Sequence, residues 1–172
     1  MSLLRFEPDN LQSSLAALDT RCRVAFALSC SLRASLRATP SQSLAELARR
    51  LAQDYANGEM VDLHAAESLL AELGQSAELD RDDVACSYYA LHAAAREDMD
   101  SVIWAAQRAY DSTDALAQEA LGITNYTGET EVLILRHQAV QNELSDQAAD
   151  LVALQAGHSA ISLVIQRAQS AA

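Results

Sequence analysis

Lysine is absent from this chain: all twelve basic residues are Arg. Proline occurs twice and glycine five times in 172 residues. So few breakers leave little room for the turns that an all-β chain needs. Five scattered glycines also build no phosphate cradle, and neither G-x-x-x-x-G-K-[ST] nor G-x-G-x-x-G occurs. G-x-S-x-G and H-E-x-x-H are missing as well, which removes the commonest signatures of a serine hydrolase and a zinc protease. Cysteine comes in an odd count of three, Cys22, Cys30 and Cys86. Cys22 and Cys30 lie eight apart on one predicted helix, roughly 12 Å between Cα atoms, too far for a disulfide. The three are read as reduced, buried thiols. The opening "MSLLRFEPDN" holds no apolar run suited to a signal peptide, and no later run reaches the length of a membrane span. These absences favour a cytoplasmic protein with no membrane partner.

What is present is alanine, leucine and acid. Ala loses no side-chain entropy on ordering, and few stretches alternate with period two, so the expected fold is all-α. With no linker or low-complexity segment, residues 1–172 read as one compact helical bundle of about seven to eight helices.

Helix one is expected to open near Pro8–Asp9 with Leu11, Leu15 and Leu18 on one face. Asp19 or Thr20 caps helix two, where Val24, Leu28, Leu32 and Leu36 repeat every four residues until Thr39-Pro40 stops it. "SLAELARRLAQDYANG" reads as a third helix with a Ser43–Glu46 capping box, Gly58 past its end, and a stripe of Leu44, Leu47, Leu51 and Tyr55. "DLHAAESLLAELG" gives a fourth, with Leu63, Ala66, Leu70 and Leu73 inward. Helix five starts near Asp82 or Asp83 and turns Val84, Tyr88, Leu91 and Ala95 inward. After a break at "REDMD", helix six runs from Asp98 to about Leu121 and ends at Gly122. Its inner face is Met99, Val102, Ile103, Ala106, Tyr110 and Thr113. One long helix is then expected over Glu129–Gln155, with Gly157 before a last short one. In the fifth–sixth corner, Ala93, Ala94, Ala95, Ala105, Ala106 and Ala109 permit close helix approach.

Charge is lopsided. Residues 1–50 carry seven Arg and four acids; residues 51–119 carry three Arg and fifteen acids. That field repels phosphate backbones and anionic lipid, so direct nucleic-acid binding is not expected, while a basic protein partner suits it. On helix six, about 100° per residue sets Asp100, Trp104, Gln107, Asp111 and Asp114 within roughly 40° of one line. Acids around the single Trp form a plausible anchor for a cation-rich partner. Glu97 and Asp98, ordinary acids for a helix start, are counted with them as candidate partner-binding residues. The competing structural reading packs Trp104 beneath a neighbouring helix.

Metal and nucleophile readings are weaker. His64 and Glu67 share a helix side, but the Glu-x-x-His pairs of di-iron bundles are absent. His64, His92, His137 and His158 fall on different helices and meet only if the tertiary fold joins them. Arg21 and Arg23 flank Cys22 and would lower its pKa, yet sequence neighbours point to different sides of a helix. No cofactor and no metal ligand is assigned.

The segment "YYALHAAAREDMDSVIWAAQRAYDSTDAL" resembles the YjaG-like family of uncharacterised bacterial proteins. "LQSSLAALDTRCRVAFALSCSLR" and "LRHQAVQNELSDQAADLVAL" are similar to it too, roughly half the chain in the same order. The aromatic of the family's Arg, Pro and aromatic pattern is lacking in "SLRASLRATPSQSLAEL". The resemblance implies a compact all-helical domain and a role for Trp104, Tyr110 and Asp111 in the fold, and carries no catalytic residues over. The functional expectation is a non-enzymatic acidic binding protein, most plausibly an immunity-type protein neutralising a basic toxin or effector. The alternative is a small helical metal-binding protein or enzyme using His64, His92 or His137. A homodimer, with the basic first third of one copy on the acidic middle of another, is the third reading.

Overall fold

The computed structural model describes residues 3–38 and 43–171. Its organising element is α2 (Thr20–Arg37), buried on nearly every side. Asp19 caps it, Oδ1 accepting from the Cys22 amide at 3.0 Å. Val24, Ala25, Phe26, Ala27, Leu28, Cys30 and Ala34 are all enclosed. A helix apolar all round belongs in a core, and five other helices, α3, α5, α6, α8 and α9, pack on this one. The four-residue stripe fades toward its end: Leu32 is half-buried and Leu36 exposed. The Thr39-Pro40 stop lies outside the described residues.

Before it, α1 (Pro8–Ala16) starts on Pro8, whose fixed φ and missing N–H suit the first helical turn. It buries Leu11 and Leu15, and Leu18 follows in the turn. The next element, α3 (Ser43–Asn57), differs from expectation. Its buried face is Ala45, Ala48, Ala52 and Ala56; Leu44, Leu51 and Tyr55 flank it half-buried, and Leu47 is 43% exposed. Alanine wins the inward positions because α3 lies close against α2 and α5, where a leucine would hold the backbones apart. The Ser43 side chain of the expected capping box is outside the described set. Gly58, at φ 82, closes the helix: its amide donates to Tyr55 O and the Glu59 amide to Asp54 O, each at 2.9 Å.

Asp62 caps α4 (Leu63–Gly74), which buries Ala66, Leu69, Leu70 and Leu73 but exposes Leu63. A 3-10 turn (Ala77–Asp80) leads to α5 (Asp82–Arg96). Two residues later α6 (Met99–Leu121) begins, capped by Asp98 and ended by Gly122 at φ 64. Ala90, Ala93, Ala94, Ala105, Ala106 and Ala109 are buried along this pair, and the Cys86 thiol reaches Ala105 O at 3.3 Å. The corner is thus close-packed small-residue helix contact, with Ala95 of the expected alanines half-buried and the other five enclosed.

The long helix expected over 129–155 is two: α7 (Gly128–Arg136) and α8 (Gln138–Leu154), hinged at His137 with ψ 137. On one unbroken helix, Ile134 and Val140 would point roughly 120° apart. The hinge lets Ile134, Leu135, Val140 and Leu144 share one cluster with Ala117 of α6. A 3-10 turn (His158–Ala160) and α9 (Ile161–Ser170) finish the chain. The described residues form nine α-helices and no strand, and none of these helices is long and apolar enough to cross a membrane.

Candidate functional site

Trp104 is on the surface, 52% exposed. The α5–α6 corner sets it across from Tyr89, and the two rings stack at 6.2 Å with an interplanar angle of 24°. Tyr88 meets Tyr89 edge-on at 5.3 Å. The indole is therefore braced on one side and open on the other, an arrangement that lowers the entropy lost when a partner covers it.

The acids around it fall into three kinds. Asp100 is exposed in the first turn of α6, and Asp111 is half-buried, accepting from Gln107 Nε2 at 2.7 Å. Two more, Glu97 and Asp98, have structural duties. Glu97 sits in the left-handed region at φ 53 and accepts from the Tyr55 hydroxyl at 3.0 Å. Asp98 accepts from the Asp100 and Ser101 amides and, at 2.6 Å, from Ser101 Oγ. The Ser101 hydroxyl bond, aided by the two amides, holds the Asp98 carboxyl below its ordinary range. Asp114 is sunk: its Oδ2 accepts from Gln118 at 3.1 Å, while its Oδ1 is buried without a hydrogen bond. Burial pushes this carboxyl up, and nearby Asp111 adds to the shift. Burial, with Asp114 beside it, pushes the Tyr110 hydroxyl up to about 12. Arg108, four residues on from Trp104, is paired with Asp82 at 3.2 Å. The face that remains available to a partner is Asp100, Trp104, Gln107 and Asp111.

Sequence reasoning missed the main polar feature of the interior. Arg33 of α2 is buried against Glu143 and Asp150 of α8: Nε to Glu143 Oε2 is 3.1 Å, and the second nitrogen reaches Asp150 Oδ2 at 2.6 Å. Arg37 also binds Glu143, and Arg167 of α9 binds Asp150. Gln147 donates to Glu143 at 3.0 Å and Ser29 to Asp150 at 2.8 Å. Burial alone would raise the Glu143 carboxyl, but Arg33 and Arg37 outweigh it and hold it below its usual range. A cleft of about 520 Å³ lies over Arg37 and Arg167, lined also by Asn142, Ser145, Asp146 and Ser170. Its two cations are already matched by the buried carboxylates, so the cluster reads as a clamp between α2, α8 and α9.

The expected histidine ligands do not gather. Among the described residues, His64, His92 and His137 join no group of three metal donors. Nδ1 of His92 is 2.8 Å from Ser101 Oγ, and that of His137 lies 3.4 Å from the Ala139 amide at the head of α8. All three cysteines are reduced and buried. Burial first, then Asp19, push the Cys22 thiol up to about 11, and Arg21 only partly opposes them. Desolvation outweighs the Arg21 guanidinium, so the thiol is raised rather than lowered.

No family model, curated protein or solved structure matches the chain.

Proposed function

We propose that this chain is a non-enzymatic acidic binding protein, of the immunity type, that takes a basic protein partner such as a toxin or effector on the α6 face. The observation that carries the reading is Trp104, half exposed and braced by Tyr89, between Asp100 and Asp111. A rigid aromatic among uncompensated acids suits a cationic surface: the ring supplies apolar area and a cation-attracting face, and the acids speed encounter. The net charge of −12 adds a long-range attraction for such a partner. The resemblance to the YjaG-like family is compatible with this reading and adds no activity to it.

Capture from the host at low salt tests the proposal. Tagged protein is expected to retain one basic protein in stoichiometric amount, released by high salt, and Trp104→Ala is expected to lose it. Retention of nothing, or equal retention by Trp104→Ala, counts against this face.

A further inference from the structure

At the other end of α2 a different set of side chains converges. Asp19 caps the helix through Oδ1 alone. Its Oδ2 faces two further donors, His158 Nε2 at 2.9 Å and Cys22 Sγ at 3.7 Å. One donor atom from each of the three residues lies within 4.8 Å of the others. His158 comes from the turn before α9, more than a hundred positions along the chain. Gly157 at φ 82 makes the bend that precedes it.

The geometry points to a zinc-binding site formed by Asp19 Oδ2, Cys22 Sγ and His158 Nε2. A carboxylate, a thiolate and an imidazole are a ligand set that zinc accepts, and tetrahedral bonds of about 2.0–2.3 Å place donor atoms roughly 3.3–3.5 Å apart. Two of the separations, 2.9 and 3.7 Å, bracket that span and the third lies within 4.8 Å, so small side-chain adjustments suffice to load the ion. Cys22 stands in the first turn of α2, and zinc displaces the proton that burial and Asp19 otherwise hold on its sulfur. The zinc–sulfur bond replaces the sulfur–hydrogen bond, and the thiol proton leaves to solvent.

The fourth position is open to water or another ligand, because His158 and Asp19 are both about half exposed. Arg21 is the outer neighbour: one terminal nitrogen lies 3.3 Å from His158 Nδ1, while its Nε donates to Ala56 O at 3.1 Å. Zinc at Nε2 moves the ring proton to Nδ1, so the Arg21–His158 bond gives way while the bond to Ala56 remains. A bound ion would join the head of α2 to the turn before α9. The site lies on elements other than the α6 face and is independent of the proposed partner.

Cobalt(II) titration of chelator-stripped protein, followed by zinc competition, tests the site. One equivalent of cobalt is expected to give a thiolate charge-transfer band that zinc abolishes. Cys22→Ser is expected to lose the band although Cys30 and Cys86 remain. His158→Gln, at an exposed position, is expected to weaken zinc by about tenfold or more with no change in metal-free melting temperature. A wild-type protein without the band, a band that survives in Cys22→Ser, or equal affinity in His158→Gln overturns the assignment. Should Cys22→Ser fail to fold, the His158→Gln result decides.

Discussion

Arg33 is the residue on which the interior depends most. It is fully enclosed and satisfies two carboxylates that are also enclosed. Removing one partner of a buried pair leaves charge without compensation, and such losses run to about 3–5 kcal/mol. Arg33→Met is therefore expected to lower the urea midpoint by a destabilisation in that range; a loss under about 1 kcal/mol would show that Arg37 and Arg167 suffice for Glu143 and Asp150. The Glu143 carboxyl also sets a pH dependence. Its folded pKa lies below the unfolded value near 4.5, so its stabilisation is complete above that value. The contribution fades as pH falls through the folded pKa. Glu143→Gln is expected to flatten the acid limb of a stability-against-pH curve, and an unchanged limb would assign it to other acids. At the surface, Trp104→Ala removes one stacked pair and is expected to cost only about 0.5–1.5 kcal/mol of folding stability beyond its buried area. A far larger loss in thermal unfolding would make Trp104 part of the core.

At the scale of the helix, Gly58 shows how one backbone angle ties two elements together. It adopts φ 82, and an added Cβ would sit 2.7 Å from the guanidinium carbon of Arg21. Gly58→Ala is expected to cost about 1–2 kcal/mol, readable in denaturant unfolding. A neutral result would mean that the end of α3 relaxes freely. Most helices were legible in the sequence, because capping acids at 19, 62 and 98 and glycines at 58 and 122 mark their ends. The buried stripe of α3 was not. Leucine is the more hydrophobic residue, but Ala45, Ala48, Ala52 and Ala56 permit close packing, and separation between helices is a tertiary quantity. The hinge at His137 carries neither glycine nor proline and follows from where Ile134 and Val140 must pack. The Arg33 cluster joins positions more than a hundred residues apart, a pairing that no local pattern records. Of the candidate face, helical geometry set Asp100, Trp104 and Asp111 on one line and left open whether Trp104 is covered; the structure exposes Asp100 and Trp104 and half-buries Asp111. That Glu97 receives Tyr55 and that one oxygen of Asp114 is buried depends on neighbours that periodicity does not reveal.

Over the whole molecule the two charge blocks have different fates. The arginines of the first fifty residues divide: Arg33 is buried, Arg21, Arg23, Arg37 and Arg49 are half-buried, and Arg5 and Arg50 are exposed. Arg33 and Arg37 neutralise α8 acids, and Arg21 and Arg23 donate to backbone carbonyls of Ala56 and Leu15. With Arg33 and Arg37 engaged inside the molecule, less of that charge is free to dock one copy on the acidic middle of another, and sedimentation at low and high salt is expected to give the same mass. A dimer that dissociates with salt would restore that reading. The acids of residues 51–119 meet fewer cations, and their field extends into solvent.

The proposed docking of a basic partner on the α6 face is decided by kinetics. Its most direct test is the association rate of the recovered partner with wild-type protein and with Asp100→Arg/Asp111→Arg, each at low and high ionic strength. The variant is expected to associate about tenfold or more slowly at low salt and to lose most of its salt dependence. Equal rates and equal salt slopes would contradict it and leave the acidic surface without a role in binding.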